Sequence, residues 1–324
     1  MRTAFIDSLF ELAQQDRRIV LITGDLGFGV VTRFMNELPE QFVNAGVAEQ
    51  NMTGLAAGMA LSGKIVFTYS IANFPVIRPF EQIRNDVCYH NANVKVVAVG
   101  GGMAYGSLGA SHHATEDMAV MRALPNMLVV APNDPVEAGL ATRAVAAHPG
   151  PCYLRLGRAG EAAVHGPDIE FELGKAIKVL EGEDLTLIVT GGLLQNALSA
   201  AEILSAQGVT ARVLSMHTLK PLDTEAVLKA AAETQAIFTI EEHSVIGGLG
   251  GAVAETLMES ETRPALFRRI GLNGQFSSVV GDQDYLRAHH GLDSAGMVAT
   301  IASALRDSVR FTKKNDRHDL TVVG

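Results

Sequence analysis

Short apolar segments alternate with helix-like segments along almost the whole chain, and this alternation constrains the fold most strongly. Apolar runs recur at 18–25, 64–69, 94–99 and 127–131, and segments with helical spacing of apolar residues lie between them. Short runs of this kind predict buried parallel strands covered by helices on both faces of the sheet. The alternation restarts at residue 185, so the sequence predicts two doubly wound α/β domains with mainly parallel sheets.

A change in composition separates the two predicted domains. Residues 161–184 carry charges, Pro167 and several glycines, which is typical of a linker with a short antiparallel element. We therefore expect a first domain over 1–160, a second domain over 185–306, and a polar, basic tail over 307–324 that frays.

Charge and composition exclude several classes of partner. The chain has 26 Lys and Arg against 35 Asp and Glu, a net charge of −9, which argues against binding to nucleic acid. No uncharged apolar run approaches the roughly 20 residues that a membrane span needs, and Asp7 interrupts any signal peptide. The two cysteines, Cys88 and Cys152, lie in apolar segments, so we expect reduced thiols in a cytoplasmic protein.

A carboxylate, Glu49, follows the predicted strand that ends near Asn44. The carboxyl ends of parallel strands are where open α/β sheets bind ligands. A carboxylate buried there favours a partner that can share a proton, such as a heterocyclic nitrogen. The alternative, which local chemistry alone favours, is an acid in the first turn of a helix, stabilised by the helix dipole.

Two histidines, His112 and His113, lie at the edge of the glycine-rich loop 100–109, just before a predicted helix. This position suits a proton shuttle or a hydrogen bond to substrate, and it equally suits a histidine that caps the helix. Adjacent histidines rarely chelate one ion, and no other ligand cluster is evident, so we expect no metal site in this chain.

Aromatic and basic side chains mark two further strand ends. Tyr69, Phe74 and Phe80 could stack on a planar cofactor, although core packing is the commoner role of aromatic residues. Arg155 and Arg158 could bind a phosphate or carboxylate, or could be ordinary surface charges. The sequence has no phosphate-binding loop, dinucleotide-binding fingerprint or nucleophile elbow, so nothing in it obviously holds a diphosphate.

Together these segments resemble the C-terminal half of the thiamine-diphosphate-dependent transketolase family, which includes deoxyxylulose-phosphate synthase and the beta subunits of 2-oxo-acid dehydrogenases. The similarity covers nearly the whole chain. The motifs that carry it are Gly24-Asp-Leu-Gly27, Phe42-Val-Asn-Ala-Gly-Val-Ala-Glu-Gln-Asn-Met52, Gly109-Ala-Ser-His-His113 with Glu116, Pro125-Asn-Met127, Glu241-Glu-His-Ser-Val-Ile-Gly-Gly-Leu-Gly250 and Gly291-Leu-Asp-Ser-Ala-Gly296.

The resemblance implies thiamine diphosphate as the cofactor and the transfer of a two-carbon ketol unit from a ketose donor to an aldehyde acceptor. Glu49 matches the family glutamate that hydrogen-bonds the aminopyrimidine ring and promotes its imino form. Phe74 matches the aromatic residue that stacks on this ring, with Tyr69 and Phe80 nearby.

The resemblance also implies substrate contacts. His112 matches the family histidine that contacts oxygens of the donor, and His113 stands where the family usually has glutamine. The phosphate-binding arginine of the family corresponds to Arg155 or to Arg158, because the local match is loose.

Two positions depart from the family pattern. Gly100 stands where transketolases usually have a histidine, and Leu108 stands where they usually have an aspartate that touches a substrate hydroxyl. The loss of both polar groups favours a modified, branched or nucleotide-linked sugar over an ordinary phosphorylated pentose or hexose.

The family also needs a diphosphate-binding domain with a Gly-Asp-Gly motif, which does not occur in this sequence. The resemblance therefore implies a separate N-terminal-type subunit that holds the diphosphate and Mg²⁺ or Ca²⁺, and an α2β2 assembly. Two alternatives are the beta subunit of a 2-oxo-acid-decarboxylating enzyme, such as pyruvate dehydrogenase or a deoxyxylulose-phosphate-synthase-like enzyme, and a non-catalytic regulatory partner. The presence of Glu49 disfavours the regulatory partner.

Overall fold

A computed structural model describes residues 1–308 of the chain. The predicted tail over 307–324 therefore lies outside the described residues, except for Asp307, which ends the last helix, and Ser308. The prediction of two α/β units with mainly parallel sheets is confirmed.

Strands and helices alternate in the order that the apolar pattern predicts. The strands are β1 (Ile19–Thr23), β2 (Phe42–Asn44), β3 (Ile65–Ile71), β4 (Val94–Val99), β5 (Leu128–Val130), β6 (Cys152–Leu156), β7 (Ile177–Leu180), β8 (Leu185–Thr190), β9 (Ala211–Ser215), β10 (Thr218–Lys220), β11 (Ala236–Ser244) and β12 (Leu266–Leu272). The helices are α1 (Arg2–Gln15), α2 (Thr32–Glu37), α3 (Glu49–Leu61), α4 (Phe74–Ile77), α5 (Phe80–Gln82), α6 (Asp117–Ala123), α7 (Pro135–Ala147), α8 (Leu194–Ala206), α9 (Thr224–Glu233), α10 (Leu249–Met258), α11 (Gln283–His289) and α12 (Ser294–Asp307).

The first sheet has the strand order β10-β5-β6-β4-β3-β1-β2 and is parallel apart from β10. Its central strands are buried on both faces, which explains their continuous apolar sequence. Lys95 interrupts the apolar run of β4, and its ammonium group donates to the carbonyl oxygens of His148 at 2.7 Å and Gly150 at 2.5 Å. These bonds satisfy the buried amine, whose pKa is lowered by desolvation.

The second sheet has the order β12-β11-β8-β9-β7, in which β7 alone is antiparallel to its neighbour. β7 lies within residues 161–184, where a short antiparallel element was expected. α8 and α12 pack on each other beside this sheet, and α9 and α10 form a second pair.

Two features differ from the sequence-based expectations. Within the helix-like segment expected between the apolar runs 64–69 and 94–99, a short α5 is followed by a π-helical segment, Ile83–Cys88, at whose end Tyr89 N–H donates to the Arg84 carbonyl at 3.0 Å. β10 comes from the second half of the chain but pairs with the edge strand β5 of the first sheet. Because β10 has only three residues, it shows no periodicity from which it could be predicted.

The carboxyl ends of β1, β2, β3, β4 and β6 lie at one edge of the first sheet because these strands are parallel. The turns that follow them therefore meet at this edge, which is where an α/β sheet presents ligand-binding groups. None of the helices within residues 1–308 has the length and apolar character needed to cross a membrane.

A buried histidine, His217, lies between β9 and β10, where the two sheets meet. Its ring stacks on Phe171 with a centroid distance of 4.0 Å, and its Nδ1 lies 2.9 Å from Thr218 Oγ1. Burial, assisted by the nearby charge of His165, lowers the pKa of His217 to about 4. The folded chain therefore holds this ring in its neutral form.

We expect the stability of the chain to fall on acidification through His217. The unfolded state binds more protons than the folded state between the ordinary pKa of 6.5 and about 4, so the contribution is present above 6.5 and lost as the pH falls across this window. As the pH falls from 6.5 to about 4, the free energy of unfolding should decrease by about 3 kcal/mol more in wild type than in His217→Gln. Urea unfolding at several pH values measures this difference. The variant His90→Gln, at an exposed site, should keep the wild-type dependence of the free energy of unfolding on pH. If His217→Gln also keeps it, the pH dependence does not come from His217.

Candidate cofactor and substrate site

Glu49 is the first residue of α3, directly after the turn that follows β2. Gly46 adopts a left-handed conformation in this turn, with φ of 74°, and reverses the chain into the helix. The Glu49 residue is only 4% exposed, and its Oε1 accepts a hydrogen bond from Arg78 Nη1 at 2.7 Å. The sequence left open a first-turn acid or a ligand-binding carboxylate, and the geometry is compatible with both.

Arg78 lies between Glu49 and Phe74. Its guanidinium carbon is 4.1 Å from the centre of the Phe74 ring, and its side chain is 47% exposed. The guanidinium group is thus a planar donor that stacks on an aromatic ring and bonds to a carboxylate. Sequence reasoning gave Arg78 no role, although its spacing of four residues from Phe74 was a signal that the two could meet on one helical face.

His112 also contacts Phe74. The two rings meet edge to face with centroids 5.1 Å apart, and Ser111 Oγ lies 3.0 Å from His112 Nδ1. Asn73 Nδ2 donates to the Ser111 carbonyl at 2.9 Å, which ties the segment just before His112 to the turn after β3. Glu49, Phe74 and His112, which are far apart in sequence, are therefore brought together at one sheet edge.

A cavity of about 550 Å³ opens beside this cluster. It is lined by Val47, Ala48, Glu49, Gln50, Asn51 and Arg78. Because the backbone of the turn after β2 and the start of α3 form most of its wall, a flat ligand there would approach the amino end of a helix and the Glu49 carboxylate together.

Three of the residues predicted for the site pack inside the chain instead. Tyr69 points to the opposite face of the first sheet, where its ring stacks on Phe5 at 6.0 Å, and burial raises its pKa. Phe80 is partly buried against the core. His113 is buried, and its Nε2 lies 3.4 Å from the Gly106 carbonyl. The structure does not bring these side chains to the cavity beside Glu49.

Arg155 is an internal residue of β6 and is only 2% exposed. Its Nε donates to Asp117 Oδ2 at 2.8 Å, and its Nη2 donates to the carbonyl oxygens of Ala114 at 2.9 Å and Glu242 at 3.0 Å. Burial acts to lower the pKa of Arg155, but Asp117, Tyr153 and Glu242 together outweigh it and the pKa is raised, so the group stays charged. Its donors are directed to the chain itself rather than to a ligand.

Arg158 follows the end of β6 and is exposed. Its guanidinium carbon lies 5.3 Å from the centre of the Tyr105 ring, and it lines a cavity of about 360 Å³ together with Ser107 and Arg287. Of the two arginines that the sequence could not separate, Arg158 is the one placed to reach a ligand.

No group of three or more His, Cys, Asp or Glu side chains within residues 1–308 is arranged to hold a metal ion.

The different surroundings of the two arginines predict opposite effects on stability. Arg155→Ala leaves Asp117 buried without its counter-charge and should lower the free energy of unfolding by about 3–5 kcal/mol. Arg158→Ala, the matched control, should change it by less than about 0.5 kcal/mol. Urea unfolding of both variants measures the difference, and equal effects would contradict the proposed burial of Arg155.

Comparisons with known proteins match both halves of the chain. The family model "Transketolase, pyrimidine binding domain" matches residues 1–160, and "Transketolase, C-terminal domain" matches residues 174–297. An apulose-4-phosphate transketolase subunit of Phocaeicola vulgatus is 44% identical over 97% of both chains. The 6-deoxy-6-sulfo-D-fructose transketolase subunit of a Clostridium species is 42% identical over 92% of both chains.

A solved structure has the same fold. The inactive beta4 tetramer of a split-gene transketolase superposes with a TM-score of 0.85 and 41% identity, over 95% of this chain and 98% of that chain. The family models, the relatives and the shared fold therefore lead to one conclusion. The chain belongs to the transketolase family and is a subunit of the split type, which carries the pyrimidine-binding and C-terminal parts of the enzyme.

Proposed function

We propose that this chain activates thiamine diphosphate through Glu49 and, together with a diphosphate-binding subunit, transfers a two-carbon ketol unit between sugars. The observation that carries the proposal is the convergence of Glu49, Phe74 and His112 at one open edge of the first sheet. A buried carboxylate, an aromatic ring and a histidine are the groups that a pyrimidine ring and an adjacent sugar substrate require.

The residues present fit the pyrimidine end of the cofactor. Arg78 already makes the two contacts expected of an aminopyrimidine, a hydrogen bond to Glu49 and stacking on Phe74. A pyrimidine ring would take this place when the half-exposed Arg78 side chain swings away. Glu49 would then hold a proton at a ring nitrogen. When bound, thiamine diphosphate supplies the chemistry that breaks and forms a carbon–carbon bond next to a carbonyl group.

His112 is the residue that we assign to the donor substrate. Its Nδ1 faces Ser111 Oγ, so Nε2 is the nitrogen that would meet a substrate oxygen. The contact with the Phe74 ring keeps the imidazole next to the cofactor position. His113 would support the loop from inside.

We assign Arg158 to an anionic group on the sugar. It is exposed beside Ser107 at a cavity that is large enough for part of a sugar, whereas Arg155 is committed to Asp117. The names of two relatives specify a sugar phosphate and a sulfo-sugar, both of which carry an anionic group. With Gly100 and Leu108 at positions that are usually polar in the family, a modified ketose with an anionic terminus is the substrate class that we propose.

The partner would cover the face that contains the cavity beside Glu49. This face includes the outward side of α3, where Gly54 and Gly58 expose backbone and Leu55 and Leu61 expose apolar surface. Small residues allow a second helix to approach closely, and apolar surface favours its association. We propose an N-terminal-type subunit as the partner, an α2β2 assembly, and Mg²⁺ or Ca²⁺ held by that subunit with the diphosphate.

The proposed function implies a division of the chain into two domains. Residues 1–160 would form the pyrimidine-binding domain and 185–306 the C-terminal domain, with 161–184 between them. The two cysteines, Cys88 and Cys152, are free and buried, which supports the proposed cytoplasmic location.

Replacing Glu49 tests the assignment of its carboxylate. In the complex with the partner subunit, Glu49→Gln should slow two-carbon transfer and proton exchange at the reactive carbon of thiamine diphosphate by at least about 100-fold, since glutamine cannot share the proton. The exposed control Glu40→Gln should keep full activity. Undiminished transfer in Glu49→Gln would overturn the assignment, and carbon dioxide release from a 2-oxo acid would favour the decarboxylating alternative.

Replacing Arg158 tests the proposed substrate class. Arg158→Ala should raise KM for an anionic ketose by about 10- to 100-fold, which corresponds to the loss of one charge-assisted hydrogen bond, and should leave the stability of the chain intact. Kinetics with the same ketose lacking its anionic group provide the control, because this substrate should not distinguish the variant from wild type. An equal loss for both substrates would contradict the role of Arg158.

A further inference from the structure

The loop that carries His112 is attached to the second half of the chain through a carboxylate. We define this His112 loop as residues 102–114, which are closed at the neck by hydrogen bonds in both directions between Gly102 and Ala114, at 2.9 and 2.8 Å. Immediately after the neck, the backbone N–H of Met103 donates to Glu242 Oε1 at 2.6 Å. The contact joins residues 139 positions apart in sequence.

Glu242 is held in place by its own neighbours. It lies in β11 and is 1% exposed, and its Oε2 accepts from Arg287 Nε at 2.6 Å. Gln283 Nε2 donates to both carboxylate oxygens, at 2.9 and 3.1 Å. Because Arg287 and Gln283 both belong to α11, the second half of the chain alone can fix the orientation of this carboxylate.

The His112 loop packs closely against Glu242 and the residues at the start of α11. Gly102 has φ of 68°, and a Cβ atom on it would lie 2.5 Å from Glu242 Oε1. A Cβ atom on Gly106 would lie 2.5 Å from the Gly281 carbonyl oxygen and 2.5 Å from Leu286 Cδ1. Glycine is required at both positions, because any side chain would separate the loop from its support.

Three side chains outside the loop therefore hold its backbone. At its neck Glu242 holds Met103 and Arg155 holds the Ala114 carbonyl, and near its end Asn73 holds the Ser111 carbonyl beside His112. Of these three side chains, Glu242 is the one that belongs to the second half of the chain. The position of the His112 ring relative to Phe74 thus depends on the second half, in which the motif Glu241-Glu-His-Ser244 has no role assigned from sequence.

We propose that Glu242 is a positioning residue for ketol transfer, which acts by holding the His112 loop and does not itself contact the substrate. The expected effect of Glu242 on donor kinetics rests on the proposed function, because it assumes that His112 binds the donor. The expected effect of Glu242 on the order of the His112 loop does not depend on that function, and the two effects can be measured separately.

Amide hydrogen exchange of the full chain tests the effect on the loop. In Glu242→Ala, exchange over residues 103–113 should be about 10- to 100-fold faster, the factor expected for loss of a charge-assisted hydrogen bond. Glu242→Gln keeps an acceptor for Met103 and should restore part of the protection. Gln283→Ala, which leaves the pair of Glu242 and Arg287 intact, provides a milder variant if Glu242→Ala does not fold.

Glu241→Gln is the matched control. Glu241 is buried next to Glu242 in β11, but its oxygens accept from the backbone N–H groups of Leu249 and Gly250 at 2.7 and 2.8 Å, at the start of α10. This variant should leave exchange of the His112 loop unchanged. The proposal is overturned if Glu242→Ala and Gln283→Ala both leave the loop protected, or if Glu241→Gln loosens it equally.

Kinetics of the complex with the partner subunit test the consequence for substrate. Glu242→Gln and Gln283→Ala should lower kcat/KM for the donor ketose but leave the affinity for thiamine diphosphate unchanged, because Glu49 and Phe74 are untouched. A loosened loop with unchanged donor kinetics would overturn the positioning role. If the wild-type complex transfers no ketol unit at all, the proposed function fails, whereas the exchange result still decides whether Glu242 holds the loop.

Discussion

The buried guanidinium group of Arg155 is the interaction on which the arrangement of the site depends. Taking a charged group out of water is unfavourable unless it is paired and hydrogen-bonded. Here Asp117 at the start of α6 supplies the counter-charge and accepts from Nε, and the carbonyl oxygens of Ala114 and Glu242 accept from Nη2. One side chain thus connects β6, the neck of the His112 loop and β11, and these parts cannot move apart without exposing an unpaired charge.

The glycines before and within the His112 loop pack closely against other parts of this chain, which their composition alone does not indicate. A glycine-rich loop at a strand end indicates close approach of the backbone to a cofactor, substrate or partner chain. In the His112 loop the closest neighbours are parts of the same chain. A Cβ atom on Gly101, directly before this loop, would lie 2.6 Å from Arg155 Nε, and Gly102 and Gly106 lie against Glu242 and Gly281. Contacts with β6 and with the second half of the chain therefore shape the loop that presents His112.

Much of the fold could be predicted from the sequence because it depends on local patterns. Buried parallel strands require continuous apolar runs, so β3, β4 and β8 can be predicted from the local sequence alone. β10 and the π-helical segment could not be predicted, because the first is too short to show a period and the second differs from an α-helix only in its hydrogen bonds. In the site, Glu49 and His112 were identified by motif, whereas Arg78 belongs to no motif and is recognised only by its position between Glu49 and Phe74.

The sequence by itself determined the family, the class of fold and the residues proposed for the cofactor chemistry, because motifs and periodicity record which side chains follow which strand. Only the tertiary structure distinguishes Arg155 from Arg158, because the first is buried within β6 and the second is exposed after this strand. It also assigned Tyr69 to the core, because a residue in a strand can face either side of the sheet. The contact between Glu242 and Met103 could not be inferred from sequence, since hydrogen bonds between distant segments depend on how the two sheets pack.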